Sequence, residues 1–412
     1  VGSAAESDSH YRSFTDSLRR GGLVDVLSRW PVLVKRLSTM LMLRAEALAA
    51  FIGRRRVDAT LLDSTFGGSV GSDRITGIQV GLSDAHAGGQ SVISFETSGG
   101  IRVIYKPRSI AIECAYQGII ALLRSRYADF DQRTIVSVDR GQYGWVEFIH
   151  HQPCRSPASV RRFYKLAGMQ LALVHALRGE DYHFDNLIAC DDQPLLIDHE
   201  CLCGGRTTRK AGPRFADHIA YDELYAASVL ATSMVPRWVG TPSGRRVDVS
   251  GLGNHRRQQT DSTVQEWHGV NTDRMNLSTV PAIYRSSLNT VELDGERVDP
   301  VLHCDDLIRG FRAMYDWLLA DRDDLFAQHA AVMESPDTAT IRDVRRTTEE
   351  YVRMIRALAS PKLQHCGLRA SLLLSHLHDA DDPESARREQ RDLLACDIPY
   401  FTSATRSSVA DL

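Results

Sequence analysis

The stretch RGEDYHFDNLIACDDQPLLIDHECLCGG, from Arg178 to Gly205, concentrates the polar residues of this chain that could do chemistry. Asp181 and Asn186 stand five apart in what reads as a loop. An apolar run over Leu187, Ile188 and Ala189 follows, and a second, Leu195 to Ile197, delivers Asp198. The pattern predicts loop, strand, turn, strand, with Asp191, Asp192 and Gln193 at the hairpin turn. Phosphoryl transfer from ATP needs an acceptor for a hydroxyl proton, and carboxylate and amide oxygens that hold Mg²⁺ against the phosphates. Asp181 would orient or deprotonate the hydroxyl, and Asn186 and Asp198 would hold the metal. A plain surface turn would also favour Asp and Asn, but it leaves the strand that ends at Asp198 unexplained.

Upstream, Lys106 closes the alternating run VIYK, and Pro107 ends the regular pairing. A lysine at a strand end can reach α and β phosphates as a point charge, or lie along an edge strand with its ammonium in water. Glu113, one turn into the next helix, is the candidate acidic partner. Gly88 and Gly89 offer either a small-residue loop over phosphates or an ordinary turn. Two further groups are not explained by phosphoryl transfer: Asp84 and His86 in GLSDAHAGG, and Arg342, Arg346, Thr348 and Tyr351 in IRDVRRTTEEY. On a helix, Arg342, Arg346 and Thr348 would lie within two turns of one another, as on any charged helix face.

The elements that must position these groups follow from hydrophobic periodicity. Ser9 to about Leu62 reads as helices, with Pro31 opening one of them. Gln90 to Glu96 and Ile101 to Lys106 form a hairpin closed at Ser98, Gly99 and Gly100. Ile110 to Arg126 is a one-faced helix. Thr134 to Val138 and Tyr143 to Ile149 are two strands joined by DRGQYG. Val160 to Leu177 is a buried helix, Ala216 to Met234 a further helix, and the chain is helical again in four or five pieces from Asp305. Strands, a strand-end lysine, a helix and two more strands follow the order of a kinase amino-terminal lobe. The expectation is an α+β fold: a helical preface over residues 1–63, a small, mainly β lobe over 64–152, and a larger, mainly helical lobe over 153–412.

Composition narrows the function classes. With 412 residues, 43% of them hydrophobic and 25% charged, the chain can bury a large core in the ordinary globular way. A net charge of −3 gives no basic field, so no nucleic-acid partner is expected. The arginine cluster Arg54 to Arg56 reads as a solvated face. Eight cysteines lack paired metal spacing, which suits a reduced, cytoplasmic chain. The apolar segment Met40 to Ile52 is broken by Arg44 and Glu46, so no membrane span is expected.

In order along the chain, GLSDAHAGGQSV, VIYKPRS, YGWVEFI, RGEDYHFDNLIA with LLIDHE, GRRVDVSGLG, VNTDRM, RDVRRTTEEY and DIPYF resemble the dehydratase region of class II lanthipeptide synthetases, the LanM enzymes. The resemblance runs from roughly Phe14 to Phe401. It implies a lipid-kinase-like fold that phosphorylates Ser and Thr of a leader-bearing precursor peptide with ATP and Mg²⁺, then eliminates phosphate to leave dehydroalanine and dehydrobutyrine. Matched residue by residue, Lys106, Asp181, His183, Asn186 and Asp198 fall on the phosphorylation set. Asp84, His86, Arg342 and Thr348 fall on the elimination set. β-Elimination needs a base for the Cα proton and cations for the enolate and the departing phosphate. His86, oriented by Asp84, would handle protons, and Arg342 would hold the phosphate through both arms of its fork.

The sequence also departs from the family. Thr347 stands where a proline is usual, AHAGGQ follows without the usual Asn and Arg, and the amino-terminal helical portion is shorter. Nothing after Phe401 resembles the family's zinc cyclase, so ring closure would fall to a separate cyclase. Two other readings compete. A simple phosphotransferase of the aminoglycoside-kinase kind needs neither Asp84 nor Arg342 and Thr348. A non-catalytic remnant would only bind a leader peptide.

Overall fold

The computed structural model describes residues 7–203, 224–240, 243–253, 257–284, 288–321, 340–377 and 382–404. Four helices come first: α1 (Ser9–Ser17), α2 (Leu23–Ser28), α3 (Pro31–Val57) and α4 (Ala59–Phe66). Pro31 sits at the first position of α3, where its missing N–H costs nothing and its fixed φ suits a helix. The start of α3 meets the far end of the chain, since Val32 N–H donates to Gln364 O at 3.0 Å and Trp30 stacks on His365. Its end meets a sheet. Phe51 and Leu62, both fully buried, share one core with Ile93, Phe95, Val103, Tyr105 and Trp145. Each such side chain contributes about 1.5–3 kcal/mol on burial, which fastens the helices to the sheet. Two of the three arginines expected to be a solvated face are used there instead, while Arg56 is exposed. Arg54 lies over the Tyr143 ring at 4.4 Å, and Arg55 donates to Val70 O at 2.7 Å.

The sheet is antiparallel throughout. Its strands β1 (Ile75–Val80), β2 (Ile93–Thr97), β3 (Arg102–Lys106), β4 (Ser137–Asp139) and β5 (Gly144–Glu147) lie in the order β1-β2-β3-β5-β4. The β2–β3 hairpin turns at Ser98 to Gly100, as the pattern predicts, with Gly100 at φ +77°. Between β3 and β4 runs α5 (Ala111–Arg126), which buries Ile112, Tyr116, Ile119, Ile120 and Leu123 on one face. Next, α6 (Pro157–Ala176) starts at Ser156, whose side chain accepts from Ser159 N–H. The hairpin β6 (Leu187–Cys190) and β7 (Gln193–Leu196) follows, so the turn is Asp191–Asp192 and Gln193 already belongs to a strand.

Two ribbons occupy the stretch whose pattern is hardest to read: β8 (Trp238–Gly240) with β9 (Arg246–Asp248), and β10 (Gln258–His268) with β11 (Asn276–Tyr284). A short hairpin, β12 (Glu292–Leu293) with β13 (Glu296–Arg297), leads to α7 (Cys304–Ala320). Helix α7 crosses α6 closely. A Cβ on Gly168 would meet Leu307 O at 2.0 Å, and one on Gly310 would meet Lys165 O at 1.9 Å. The largest core joins α5, α6, α7 and the β6–β7 hairpin through Tyr116, Phe163, Met169, Leu187, Leu196 and Met314. With helices and small antiparallel sheets in one chain, the fold is α+β.

Two helical expectations need correction. The segment Ala216 to Met234 lies partly outside the described residues; residues 224–226 are α-helical as expected, but its end is a 3-10 turn, Val229–Thr232, stopped by Ser233 at φ +61°. Arg342 is on no helix. It lies on β14 (Thr340–Asp343), which pairs antiparallel with β15 (Phe401–Ala404), Arg342 opposite Thr402. Local periodicity cannot reveal a partner so far along the chain. The helix α8 (Thr348–Leu358) starts only after Thr347, whose hydroxyl accepts from Glu350 N–H while the Glu350 carboxylate accepts from Thr347 N–H. Proline at that position would supply neither bond of this capping box. Two more helices, α9 (Gly367–Leu373) and α10 (Pro383–Leu394), complete the described carboxy-terminal part.

Candidate active site

Lys106 is the last residue of β3, an inner strand between β2 and β5, and it is only 6% exposed. Its ammonium is therefore not in water along an edge. Its Nζ pairs with Glu113 Oε1 at 2.9 Å and donates to Ile197 O at 2.8 Å. Glu113, in the first turn of α5, is just as buried. Glu113→Ala should therefore destabilise the fold by about 3–5 kcal/mol, the range for removing one member of a buried pair and stranding the other. Urea denaturation of the two proteins measures it, and a difference under about 1 kcal/mol would show that Lys106 finds another anion.

The β6–β7 hairpin brings Asn186 and Asp198 together. Its register pairs Leu187 with Leu196, so the residues just outside, Asn186 and Ile197, face each other, and Ile197 N–H donates to Asn186 O at 3.1 Å. Asp198 is the next residue. The loop before β6 is folded on itself: Asn186 Nδ2 donates to Asp181 O at 2.8 Å, and Asp181 sits at φ +70°, which Asp tolerates better than most residues. His183 Nε2 lies 3.4 Å from Asn186 Nδ2 and 3.8 Å from Asp181 Oδ1.

The two aspartates are driven in opposite directions. Surrounding protein raises the Asp181 pKa even though its side chain is 52% exposed. His183 and Arg342 oppose that shift, while the charges of Asp198 and Glu200 add to it. Burial would raise Asp198 too, but Lys106 and Arg108 overcome it and hold the carboxyl well below the usual carboxylate range. A permanent anion beside a carboxylate with enhanced proton affinity is the division of labour expected of a charge holder and a base. Asp198 Oδ1 accepts from Arg108 Nη2 at 2.8 Å and from Glu200 N–H at 3.2 Å. Its Oδ2 and the Asn186 Oδ1 make no hydrogen bond with any described residue. Those two open oxygens fit Mg²⁺, which is commonly held by one or two carboxylates together with substrate phosphates.

His199 follows Asp198 and is 1% exposed. Its Nδ1 is 2.9 Å from the Tyr182 hydroxyl, and its ring lies 4.0 Å from that of Tyr116. Burial, then the Lys106 charge, pushes its pKa down to about 3. The unfolded chain binds this proton more readily than the folded one, so stability is full above about 6.5 and falls as the pH drops from there towards 3. His199→Gln should flatten that acid limb in denaturation midpoints measured between pH 7 and 4, relative to the wild type.

Three residues that motif reading left without a role join the two groups of candidates. Arg108 reaches Glu113 Oε1 and Asp198 Oδ1, each at 2.8 Å, and Glu200 Oε2 at 3.2 Å. Glu200 in turn takes Arg342 Nη1 at 2.6 Å, and its Oε2 accepts from the Tyr400 hydroxyl at 3.3 Å. Arg342 N–H also donates to Glu200 O, and Arg342 Nη2 to Thr348 Oγ1 at 3.4 Å. Tyr400 stands between Arg342, 5.5 Å from its ring, and the His86 ring, 5.3 Å away. Arg108 and Glu200 each follow a candidate by two residues, in KPR and DHE, and that spacing is the signal which could have found them. Tyr400 lies in the DIPYF motif, which by itself says nothing of its partners.

His86 Nδ1 lies 2.9 Å from Ile398 O. A carbonyl only accepts, so Nδ1 carries the hydrogen and Nε2 the lone pair. Burial and the Arg342 charge lower the His86 pKa, which favours the neutral ring. The orientation expected from Asp84 is supplied here by that carbonyl. Asp84 is exposed, bonds through its carboxylate to no described residue, and acts on His86 through space. Arg346 and Tyr351 stand apart, both bonded to Glu389 of α10.

An α+β chain with a buried Lys–Glu pair, a low-pKa aspartate and an arginine-carboxylate relay is the class that fold and site define. Its sequence places it in a family: the chain belongs to DUF4135, described as a domain of unknown function, which matches residues 30–404. It is also 22% identical over 335 residues to the lacticin 481/lactococcin biosynthesis protein LcnDR2 of Lactococcus lactis subsp. lactis. That match covers 78% of this chain and 35% of the relative, so the chain spans about a third of that protein's length. Among the described residues, no helix is long and apolar enough to cross a membrane.

Proposed function

We propose that this chain dehydrates Ser and Thr of a ribosomally made, leader-bearing precursor peptide in lanthipeptide-type biosynthesis, by phosphorylation followed by elimination of phosphate. The name of the lactococcal relative supports the biosynthetic setting. A kinase-like arrangement of a small β lobe and a larger helical lobe is supported by Lys106 on β3 ion-paired with Glu113 of the following helix, the pairing that protein kinases use. ATP with Mg²⁺ would supply the phosphoryl group and neutralise charge on it. Lys106 would hold phosphate oxygens, Asn186 and Asp198 would hold the metal, and Asp181, with His183 beside it, would take the proton of the attacking peptide hydroxyl. In elimination the Cα proton passes to a base, the Cβ–O bond breaks and phosphate leaves with the bonding pair. Arg342, with Thr348, would receive that anion, and His86 Nε2 is an open basic nitrogen close by.

The observation that carries this reading is the continuous relay from Asp198 through Arg108 and Glu200 to Arg342 and Thr348. A phosphopeptide made at one end need not travel to reach the groups at the other. The test is mass spectrometry of a Ser/Thr/Cys-rich peptide encoded beside this chain, after incubation with the protein, ATP and Mg²⁺. The dehydrated peptide is the expected product. A product that stops at the phosphorylated species would instead mark a simple phosphotransferase, and an unmodified peptide a chain that only binds.

A further inference from the structure

Asp397 is a carboxylate with a use that neither the nucleotide nor the peptide explains. It is 4% exposed, and its side chain is spent on two backbone amides: Gly88 N–H donates to Oδ2 at 2.6 Å and Gly89 N–H to Oδ1 at 3.1 Å. Burying an anion is costly unless charge-assisted hydrogen bonds satisfy it. The turn it grips is one the backbone does not favour. Ala87, Gly88 and Gly89 follow one another at φ +49°, +90° and +73°, and alanine in the left-handed region is strained. Successive amides in such a conformation form a concave anion site, and here the anion comes from the chain itself.

The turn sits directly after His86. His86 and Gln90 exchange N–H···O bonds at 2.9 Å across it, and Ile398, the residue after Asp397, donates its N–H to Ala85 O at 3.0 Å while its carbonyl accepts from His86 Nδ1. From behind, a Cβ on Gly89 would lie 2.9 Å from Leu43 Cβ, so α3 closes the turn on that side. We propose that Asp397 is the positioning residue of His86: by gripping the Gly88–Gly89 turn it keeps Ile398 O on Nδ1 and leaves Nε2 as the ring's open nitrogen. Its consequence for catalysis rests on the elimination reading above.

The test uses the full chain labelled with nitrogen-15 at histidine, the His86 signals being assigned by their loss in His86→Gln. Separate protonated Nδ1 and unprotonated Nε2 resonances are expected for the wild type, and a shift towards tautomer averaging for Asp397→Ala. Asp397→Asn keeps the shape and one acceptor oxygen, so it should fall between them, and it carries the test if the alanine variant does not fold. The same variants, given the precursor peptide with ATP and Mg²⁺, should slow elimination by about 10²-fold, the scale of loss when a reacting group is misplaced by an ångström. Phosphorylation should continue, because Asp397 bonds to none of Lys106, Asp181 or Asp198. An unchanged His86 signature in a folded Asp397 variant overturns the proposal. A lost signature in a protein whose wild type makes no dehydrated peptide overturns the elimination reading and leaves the positioning role standing.

Discussion

Asp198→Ala should cut phosphate transfer to peptide by about 10³-fold or more, the scale for groups that neutralise charge on a transferring phosphoryl. Asp198 is the carboxylate that Lys106 and Arg108 keep anionic, and its Oδ2 makes no hydrogen bond with any described residue. Its removal does not strand the surrounding cations, since Lys106 keeps Glu113 and Arg108 keeps Glu113 and Glu200. The variant should therefore stay folded in a circular-dichroism melt while dehydrated and phosphorylated peptide both vanish. Asp198→Asn separates charge from shape and should lose nearly as much. Wild-type amounts of either product from Asp198→Ala would remove the phosphoryl-transfer role.

Arg342→Ala should do something different: leave phosphorylation working and slow elimination by about 10²–10³-fold, the loss typical of one transition-state charge stabiliser. Phosphopeptide then accumulates, heavier than the dehydrated product by one phosphoric acid. Arg342 is positioned for this by its strand. Its backbone N–H is fixed to Glu200 O, and its guanidinium spans the Glu200 carboxylate and Thr348. Burial works against its charge, but Glu200 holds the guanidinium protonated far above its ordinary range. Glu200 retains Arg108 and the Tyr400 hydroxyl when Arg342 is gone, so the fold should survive, and a melt of the variant checks it. An unchanged ratio of phosphorylated to dehydrated peptide in a folded Arg342→Ala would sink the elimination role and return the site to a plain phosphotransferase.

The two variants touch one chain of ion pairs, so the two proposed steps share parts. Arg108 and Glu200 are shared, Arg108 facing the aspartate proposed to hold the metal and Glu200 facing the arginine proposed to receive phosphate. A change at either is therefore expected to disturb both steps, whereas Asp198 and Arg342 separate them. Relays of this kind are not additive, because each member is the counter-charge of the next.

The sequence alone determined the local elements whose signals are short-range. The β2–β3 hairpin is written in Ser98, Gly99 and Gly100, since glycine at positive φ closes it. The Asn186 to Asp198 hairpin is written in two apolar runs around Asp191 and Asp192, and the one-faced α5 in its helical spacing, which also set Glu113 near the start of the helix that follows Lys106. Tertiary structure decided everything that depends on distant partners. Arg342 and Thr348 read as one helix face because local charge spacing cannot show that Phe401–Ala404 pairs with Thr340–Asp343 and turns the first of them into a strand residue. The orienting contact of His86 comes from Ile398 and not from nearby Asp84, because a backbone carbonyl brought in from far along the chain carries no side-chain signature. The relay through Arg108, Glu200 and Tyr400 is likewise invisible in any one motif: its ion pairs form between elements, and only the packing of β3, the β7 end, β14 and the segment before β15 brings their charges within bonding distance.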